Sequence, residues 1–183
     1  MKKKLFTIVL LFYVIVASGC INNVEQTDNQ TPQVKTKTYS ANGISFNYPS
    51  NWQEINKTGN YTIAYLKDPN AKSDDNKSGA VVEISKKASD GIPLKRYYED
   101  VKSGATSVAG YQLLLERNIK VDNATAYEFV SKAVDKDIEE QYRVILLEKK
   151  GFIYMIACGT RSPTYLSDEE ENFDIIINSL KVR

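Results

Sequence analysis

The residue with the most distinctive chemistry near the start of the chain is Cys20, which follows the small residues 17–19. A thiolate is a strong nucleophile, and small neighbours allow a modifying or cleaving enzyme to approach the sulfur. Upstream lie the lysines at positions 2–4 and an apolar run from Leu5 to Val16 that only Thr7 interrupts. A positive start, a short apolar centre and a small-residue end are the three parts of a secretory signal.

The order of these features resembles a prokaryotic lipobox, in which the cysteine thiol takes a diacylglyceryl group and becomes the first mature residue. The apolar run is shorter than the about 20 residues that span a bilayer, whereas two acyl chains give a stable anchor. We therefore expect a signal peptide over residues 1–19 and lipid attachment at Cys20. An ordinary signal peptide, or an uncleaved anchor helix with an incidental cysteine, is the alternative.

The remaining inventory of reactive side chains excludes several kinds of catalysis. The chain has no histidine, so Ser-His-Asp and Cys-His arrangements and zinc sites built on imidazole or paired thiols cannot form. Cys158 is the only cysteine after Cys20, so no internal disulfide forms, and we expect it to be a buried apolar residue of a strand. We predict no catalytic residue, no metal site and no cofactor.

Charge argues against a nucleic-acid partner. The formal net charge is +1 for the whole chain and −2 once the three lysines of the signal are removed. Nucleic-acid-binding domains carry a basic face, and a polybasic surface that binds membranes needs a similar excess.

The pattern beyond Cys20 predicts a polar, flexible tether over residues 20–38 and one folded domain over residues 39–183. Alternating apolar residues near Phe46 and in four successive stretches between Tyr111 and Thr160 predict antiparallel strands. Turns are predicted at Asn42-Gly43, Asp122-Asn123 and Lys150-Gly151, and the last of the four strands is predicted over Phe152–Thr160. The last two strands are apolar on both faces, which indicates a sheet covered on both sides.

Helical spacing predicts one helix after Pro93 and a second near the C-terminus, with Phe173, Ile176, Ile177 and Leu180 as its buried stripe. Two starts are open for the second helix, Ser162-Pro163 or a capping box formed by Ser167 and Glu170. Trp52, which follows a tight turn after a strand, is expected to anchor the core. We expect the segment from Asp68 to Gly79 to be a solvated loop.

One cross-strand constellation stands out within the predicted sheet. If the chain turns near residues 134–138, antiparallel pairing places Glu128 opposite Arg143. Because Arg143 shares its strand face with Ile145 and Leu147, it would be partly buried and would need a partner. A cross-strand ion pair is one interpretation, and an anion-binding arginine below a cleft is the other.

Five Asn-x-Ser/Thr triplets are candidate glycosylation acceptors in a host that glycosylates exported proteins. An Asn-, Ser- and Thr-rich chain also produces such triplets by chance. They begin at Asn29, Asn56, Asn60, Asn76 and Asn123.

With this order of elements, the chain resembles the PsbP-like family. The residues that carry the resemblance are the segment Gly43–Trp52, the helix start Leu94–Tyr98, and the short stretches 126–129, 151–154 and 177–181. The resemblance implies an α+β domain of the Mog1/PsbP/DcrB type, with an antiparallel sheet of about six or seven strands covered by helices on both faces. Its motifs mark a fold and not a site.

Together these observations predict a lipid-anchored, non-catalytic binding or accessory domain on the extracytoplasmic face of a cell membrane. It would contact an envelope protein or a small ligand through loops such as Asp68–Gly79. One alternative is an enzyme that uses carboxylates alone, with two close carboxyl groups of which one has a raised pKa. The other is a structural subunit of a membrane complex, which would expose a sizeable apolar patch.

Overall fold

The computed structural model describes residues 34–56, 59–72, 78–135, 138–161 and 169–183. All of these belong to one compact unit, Val34–Arg183. Its elements are, in order, β1 Thr36–Ala41, β2 Ile44–Pro49, β3 Gln53–Glu54, β4 Thr62–Lys72, β5 Ser78–Ala88, α1 Leu94–Thr106, β6 Gln112–Val121, β7 Ala124–Asp135, β8 Ile138–Lys149, β9 Phe152–Thr160, α2 Glu170–Ser179 and β10 Lys181–Val182.

The strands form two antiparallel sheets. The larger has seven strands in the order β3-β4-β5-β9-β8-β7-β6, and the smaller has three in the order β1-β2-β10. The expectation of one sheet with six or seven strands therefore describes the larger sheet and omits the smaller one. The polypeptide enters β1 at Thr36, three residues before the predicted start of the domain.

Two-residue turns set the register of three hairpins. Asn42-Gly43 joins β1 to β2, Asp122-Asn123 joins β6 to β7, and Lys150-Gly151 joins β8 to β9. Both central residues of each turn have positive φ, between 47° and 79°. This backbone matches the twist of the flanking strands, which is why Asn, Asp and Gly dominate such turns. The sequence predicted all three turns.

Side chains of the larger sheet contribute to two apolar clusters. Along β8, Ile145 and Leu147 belong to one cluster, whereas Val144 and Leu146 belong to the other. Neighbouring residues of a strand point to opposite faces, so the two clusters lie on opposite sides of the sheet. This explains why the side chains on both faces of β8 are apolar.

The two helices contribute to different clusters. Helix α1 contacts β7 and β8 and supplies Tyr98 to the smaller cluster. Helix α2 contacts β2 of the smaller sheet and supplies Phe173 to the larger cluster. The predicted stripe of α2 is confirmed, since its four residues are at most 1% exposed. Trp52, predicted as a core anchor, is buried with its ring edge-on to that of Phe173, at 6.0 Å between centroids.

The described parts of the segment from Asp68 to Gly79 are strand and not the solvated loop that the sequence suggested. Strand β4 runs on to Lys72, and β5 resumes at Ser78. Asp68 is buried, and its carboxylate accepts a hydrogen bond from the backbone N–H of Asn70 at 2.8 Å. A register irregularity between Asp68 and Lys72 accommodates Pro69 and the polar residues within the hairpin.

Helix α2 begins at Glu170, with Glu169 as its N-cap residue and no side-chain hydrogen bond capping it among the described residues. Ser162 and Ser167, which open the two predicted starts, both lie outside the described residues. The acidic residues Glu170 and Glu171 do occupy the first turn, where negative charge favours the helix dipole.

Candidate functional site

The sheet brings Glu128 and Arg143 together, but not in the predicted register. Arg143 pairs with Val130, and Glu128 pairs with Ile145. The two residues are diagonal neighbours on one face, and the Arg143 Nε donates to Glu128 Oε1 at 2.6 Å. The predicted position of the turn was one residue off, which shifts the register by two. Because side chains alternate with a period of two, that shift keeps both charges on the same face.

Two further residues extend this pair into a network. Arg117 of β6 lies directly opposite Glu128 and donates from its Nε to the second carboxylate oxygen. From the other end, Nη1 of Arg143 donates to Asp174 of α2 at 2.7 Å. The network Arg117–Glu128–Arg143–Asp174 thus joins three adjacent strands to α2.

Electrostatics hold the central carboxylate in its charged form. The side chain of Glu128 is completely buried, and burial alone raises the pKa of a carboxyl group. The hydrogen bonds and positive charges of Arg117 and Arg143 outweigh burial, so the pKa of Glu128 is lowered. Burial similarly opposes the charged form of Arg143, but Asp174 and Glu128 raise its pKa.

The network of Arg117, Glu128, Arg143 and Asp174 is suited to holding strands and helix together. Arg143 has 9% of its side chain exposed, and two of its nitrogens already bind carboxylates. The interpretation of Glu128 and Arg143 as an ion pair is consistent with these contacts. An anion bound by Arg143 stays a prediction, because it would compete with Asp174 for the same guanidinium.

Cys158 lies beside the network, since it pairs with Arg143 across β8 and β9. Its side chain is fully buried in the larger cluster. Burial raises the pKa of the Cys158 thiol to about 12, despite the nearby charge of Arg143. A thiol with so high a pKa is almost entirely protonated at neutral pH and is a poor nucleophile.

The remaining predicted site residues are placed as follows. Asn56 and Asn60 are exposed beside β3 and β4, and Asn123 is exposed in the turn between β6 and β7. Asn29, Asn76 and the proposed lipid-attachment residue Cys20 lie outside the described residues. Their modification stays a prediction.

A site that sequence reasoning missed lies on the α1 side of the larger sheet. There, a half-open groove of about 280 Å³ lies between α1 and the strands. Val101 and Ala105 of α1 and Val108, just after the helix, form one wall. Phe129, Val144, Met155 and Ala157 form most of its floor. We call this cavity the α1 groove.

Tyr142 forms the boundary between the α1 groove and a neighbouring, more polar depression of about 380 Å³. The tyrosine ring lies across Gly159 of β9, where an added Cβ would come within 3.2 Å of a ring carbon. Glycine at this position therefore lets the ring lie close to the strand. Glu140 lines both cavities and forms an ion pair with Arg161 at 2.8 Å.

Tyr111 and the buried Ser131 bring hydroxyl groups to the lining of the α1 groove. Burial raises the pKa of Tyr111, and the positive charge of Lys102 and the nearby Ser131 hydroxyl oppose this rise only in part. The Tyr111 hydroxyl has no hydrogen-bond partner of good geometry among the described residues. A buried hydroxyl without a partner is costly, so a hydrogen-bond acceptor entering the groove would be stabilised there. Groove binding sites commonly combine apolar walls with a few such polar groups.

One signal in the sequence was related to the groove but did not define it. Strands β8 and β9 are apolar on both faces, which indicated coverage on both sides of the sheet. In the structure, Met155 and Ala157 are only half-buried, because α1 packs on β7 and β8 and leaves β9 partly open. The sequence did not predict how far α1 extends over the sheet, because the position of a helix depends on its packing against elements distant in sequence.

Across the part of the chain that the structure describes, two further features are absent. No set of three or more carboxylate or thiol side chains is arranged to hold a metal ion. None of the described helices has the length and apolar character needed to cross a membrane.

Solved structures with low sequence identity share this fold. LpqN, a Mycobacterium tuberculosis protein involved in cell envelope biogenesis, aligns with a TM-score of 0.60 at 11% identity, covering 81% of this chain and 91% of LpqN. CyanoP, the cyanobacterial PsbP of Synechocystis sp., aligns with a TM-score of 0.57 at 13% identity over 84% and 96% of the two chains. The Saccharomyces cerevisiae Ran-binding protein Mog1p aligns with a TM-score of 0.57 at 9% identity over 81% and 96%.

Similarity at these identities establishes the fold and not an activity. No curated protein matches the chain. The family model described as PsbP-like protein matches residues 5–182, nearly the whole sequence. The strand order, the two helices and this match lead to one conclusion: the chain belongs to the PsbP-like protein family.

Proposed function

We propose that this protein is a lipid-anchored, extracytoplasmic binding or accessory protein that uses the α1 groove to hold an apolar group of a ligand or partner. The groove carries the proposal. It is the described cavity whose lining is almost entirely apolar, and it has a volume larger than the about 150 Å³ that admits a benzene-sized molecule.

The titratable groups support a role without catalysis. A carboxylate-based enzyme needs an acid with a raised pKa. In the described residues, the carboxyl groups with a clear shift all have a lowered pKa, because cations and hydrogen bonds stabilise their charged forms. They are Glu116, Asp122, Glu128 and Glu139. The buried Cys158, with its pKa raised to about 12, is equally unsuited to nucleophilic attack.

The anchor rests on the sequence. Lysines 2–4, the apolar run and Cys20 occur in the order that lipidation requires. The structural relatives add circumstantial support, since LpqN is involved in cell envelope biogenesis. The polar tether after Cys20 would separate the domain from the membrane by about 20–25 Å on random-coil scaling, in which the end-to-end distance is about 5–6 Å × √n for n residues.

The anchor is tested by labelling living prokaryotic cells with an alkyne fatty acid and following the protein through membrane fractionation. The chain has two cysteines, so Cys158→Ala is the matched control for Cys20→Ala. We expect label and membrane association for the wild type and for Cys158→Ala, and loss of label for Cys20→Ala. Mass spectrometry of the mature protein should give a first residue of Cys20 carrying the lipid. Label retained in Cys20→Ala would contradict the anchor.

The groove is tested separately with 1-anilinonaphthalene-8-sulfonate, a fluorescent apolar anion that reports accessible apolar cavities. Ala105→Trp would fill the cavity from its helical wall, and we expect it to reduce probe binding at least tenfold. Gly104→Ala is the control, because a methyl group there meets no atom within 4 Å. Unchanged binding in a folded Ala105→Trp variant would show that the groove is not the binding site.

A further inference from the structure

Strand β6 is the last strand of the larger sheet. It is ten residues long and pairs with β7 on its inner side. No described strand pairs with its outer side. Alternate backbone N–H and C=O groups of β6 therefore face outward, and such an edge is a template for an additional strand.

The same strand carries three consecutive leucines that are unusually exposed. Leu113, Leu114 and Leu115 have 41%, 46% and 39% of their surface accessible. A bulge lies between Leu113 and Leu115, so Leu113 pairs with Ser131 and Leu115 pairs with Val130. The leucines consequently wrap around the edge and do not share one face. We call Leu113–Leu115 the leucine edge.

Exposed apolar side chains continue around the leucine edge. Val108, two residues after the end of α1, is 48% exposed, and Val134 of β7 is 41% exposed. The backbone N–H of Val134 donates to the carbonyl of Ala109 at 3.2 Å, which brings these segments together. Among the described residues, five of the seven large exposed apolar side chains thus lie at this corner of the domain.

The charges of β6 do not protect this edge. Natural edge strands often carry charged side chains that discourage pairing. Here Glu116 binds Lys102 of α1 at 2.9 Å, and Arg117 binds Glu128 of β7. Glu116 and Arg117 are thus neutralised by intramolecular partners, and the third charged residue of the strand, Lys120, lies near its other end and donates to the Thr125 hydroxyl at 2.7 Å. None of the three belongs to the leucine edge.

We propose that β6 binds an extended, apolar segment of another protein as an added antiparallel strand, with the leucine edge contacting its side chains. A lipid surface would cover the leucines but would leave the outward N–H and C=O groups without partners, at several kcal/mol each. An added strand satisfies the backbone and the leucines together, which is the mode of recognition known as β-augmentation.

A second copy of this chain fits less well. An antiparallel two-fold pairing centred on Glu116 or Arg117 would place like charges opposite each other, which is destabilising. Pairing centred on Asn118 would match Glu116 with Lys120 but would leave Leu113 and Leu114 opposite the turn after β6. The bulge prevents a register in which Leu113 faces Leu115 of the copy, because these residues lie on opposite sides of the sheet.

The probe is a fluorescein-labelled peptide that copies β7, Ala124–Asp135. This sequence already complements the inner side of β6, with Glu128 opposite Arg117 and Val130 opposite Leu115. The outer side presents the same side chains, so the peptide should add there in the same register. Binding is measured by fluorescence anisotropy with the chain of residues 20–183, after sedimentation has established its oligomeric state.

Two comparisons make the test specific. Leu114→Lys should weaken peptide binding at least tenfold, whereas Tyr61→Lys, at a residue that is 59% exposed away from β6, should not change it. Two peptides with N-methyl groups on alternate residues should differ, because a strand pairs through one set of its N–H groups. One of them should bind as well as the parent, and the other should lose binding.

The results distinguish strand addition from dimerisation and from binding that does not involve strand pairing. Saturable binding that Leu114→Lys abolishes and one N-methylated peptide retains would support the proposal. A stable dimer disrupted by Leu114→Lys would identify a second copy as the occupant and overturn it. Absence of binding at millimolar peptide, or equal binding of both N-methylated peptides, would also overturn it. None of these results depends on lipidation at Cys20. The proposed lipid anchor and the proposed strand addition at β6 are therefore tested independently.

Discussion

The two sides of the larger sheet differ in how completely they are covered. On the α2 side, Trp52 and Phe173 are at most 1% exposed, and an ion-pair network bridges the strands to the helix. On the α1 side, Tyr98 is the only residue of the helix that is fully buried, and Val108 is half-exposed. One side is a closed core and the other ends in a groove and an apolar edge.

This difference assigns separate roles to the two sides. Burial of large apolar residues contributes about 1.5–3 kcal/mol for each side chain, so the α2 side supplies most of the stability. The α1 side retains apolar surface in contact with water, which is a common property of interaction surfaces. Changes on the α1 side should therefore disturb the core less than changes on the α2 side.

The sharpest test of this division is Phe173→Ala. It would leave a cavity beside Trp52, and we expect the free energy of unfolding to fall by about 3–5 kcal/mol. Val108→Ala, on the opposite side, should change it by no more than about 0.5 kcal/mol. Urea titrations followed by tryptophan fluorescence measure both values. Similar losses for the two variants would show that the α1 side is as closely packed as the α2 side.

The ion-pair network is expected to have the next largest effect. Arg143→Ala removes a buried cation and leaves Glu128 with one partner, at a cost of about 3–5 kcal/mol. Arg117→Ala should cost less, about 1–3 kcal/mol, because the Arg117 side chain is 49% exposed and water can replace it. Denaturant unfolding at pH 7 compares them. The assignment of Arg143 as the central cation would be wrong if Arg117→Ala were the more destabilising change.

Acid should weaken the α2 side. Because the pKa of Glu128 is lowered in the folded state, the unfolded state takes up the proton first as the pH falls. The stabilisation is therefore complete above the unfolded pKa of about 4.3 and is lost below it. Between pH 7 and pH 3 we expect this group to contribute a loss on the order of 1 kcal/mol.

Glu128→Gln is the corresponding variant, since its amide does not titrate in this range. It should be less stable than the wild type at pH 7 and should lose less stability between pH 7 and pH 3. Unfolding curves collected at several pH values measure the difference. If the free energies of unfolding of the two proteins changed with pH in parallel, Glu128 would not contribute to the loss of stability in acid.

The smallest expected effect concerns the leucine edge. Leu114→Thr keeps a residue suited to strands while removing apolar surface, so the free energy of unfolding should change by no more than about 0.5 kcal/mol. The midpoint of thermal unfolding provides the measurement. A loss above about 2 kcal/mol would mean that Leu114 is part of the core and not of an interaction surface.

Local signals in the sequence predicted the elements whose conformation depends on neighbouring residues. The turns at Asn42-Gly43 and Lys150-Gly151 were predicted from residue types that adopt positive φ. The buried stripe of α2 followed from helical spacing. Strand β9 has the predicted bounds, Phe152–Thr160, because its apolar run is delimited by a turn.

Elements that depend on distant partners were predicted less well. The continuation of β4 to Lys72 contradicts the polar composition of the segment, because pairing with β5 outweighs intrinsic preference. Strand β10 was missed, since two residues become a strand only where β2 offers an edge. The contact between Glu128 and Arg143 was predicted although its register was not, because a shift of two residues preserves the face.

The amino-acid sequence by itself determined the reactive groups that the protein possesses, the positions of its tight turns and the apolar faces of its strands. These properties follow from side-chain chemistry and from backbone preferences over a few residues. Tertiary structure alone decided that Arg143 is enclosed between Glu128 and Asp174, that α1 leaves a groove over β9, and that β6 ends the sheet. Each of these depends on how elements far apart in the chain pack against one another, and residue spacing within a single element does not specify that packing.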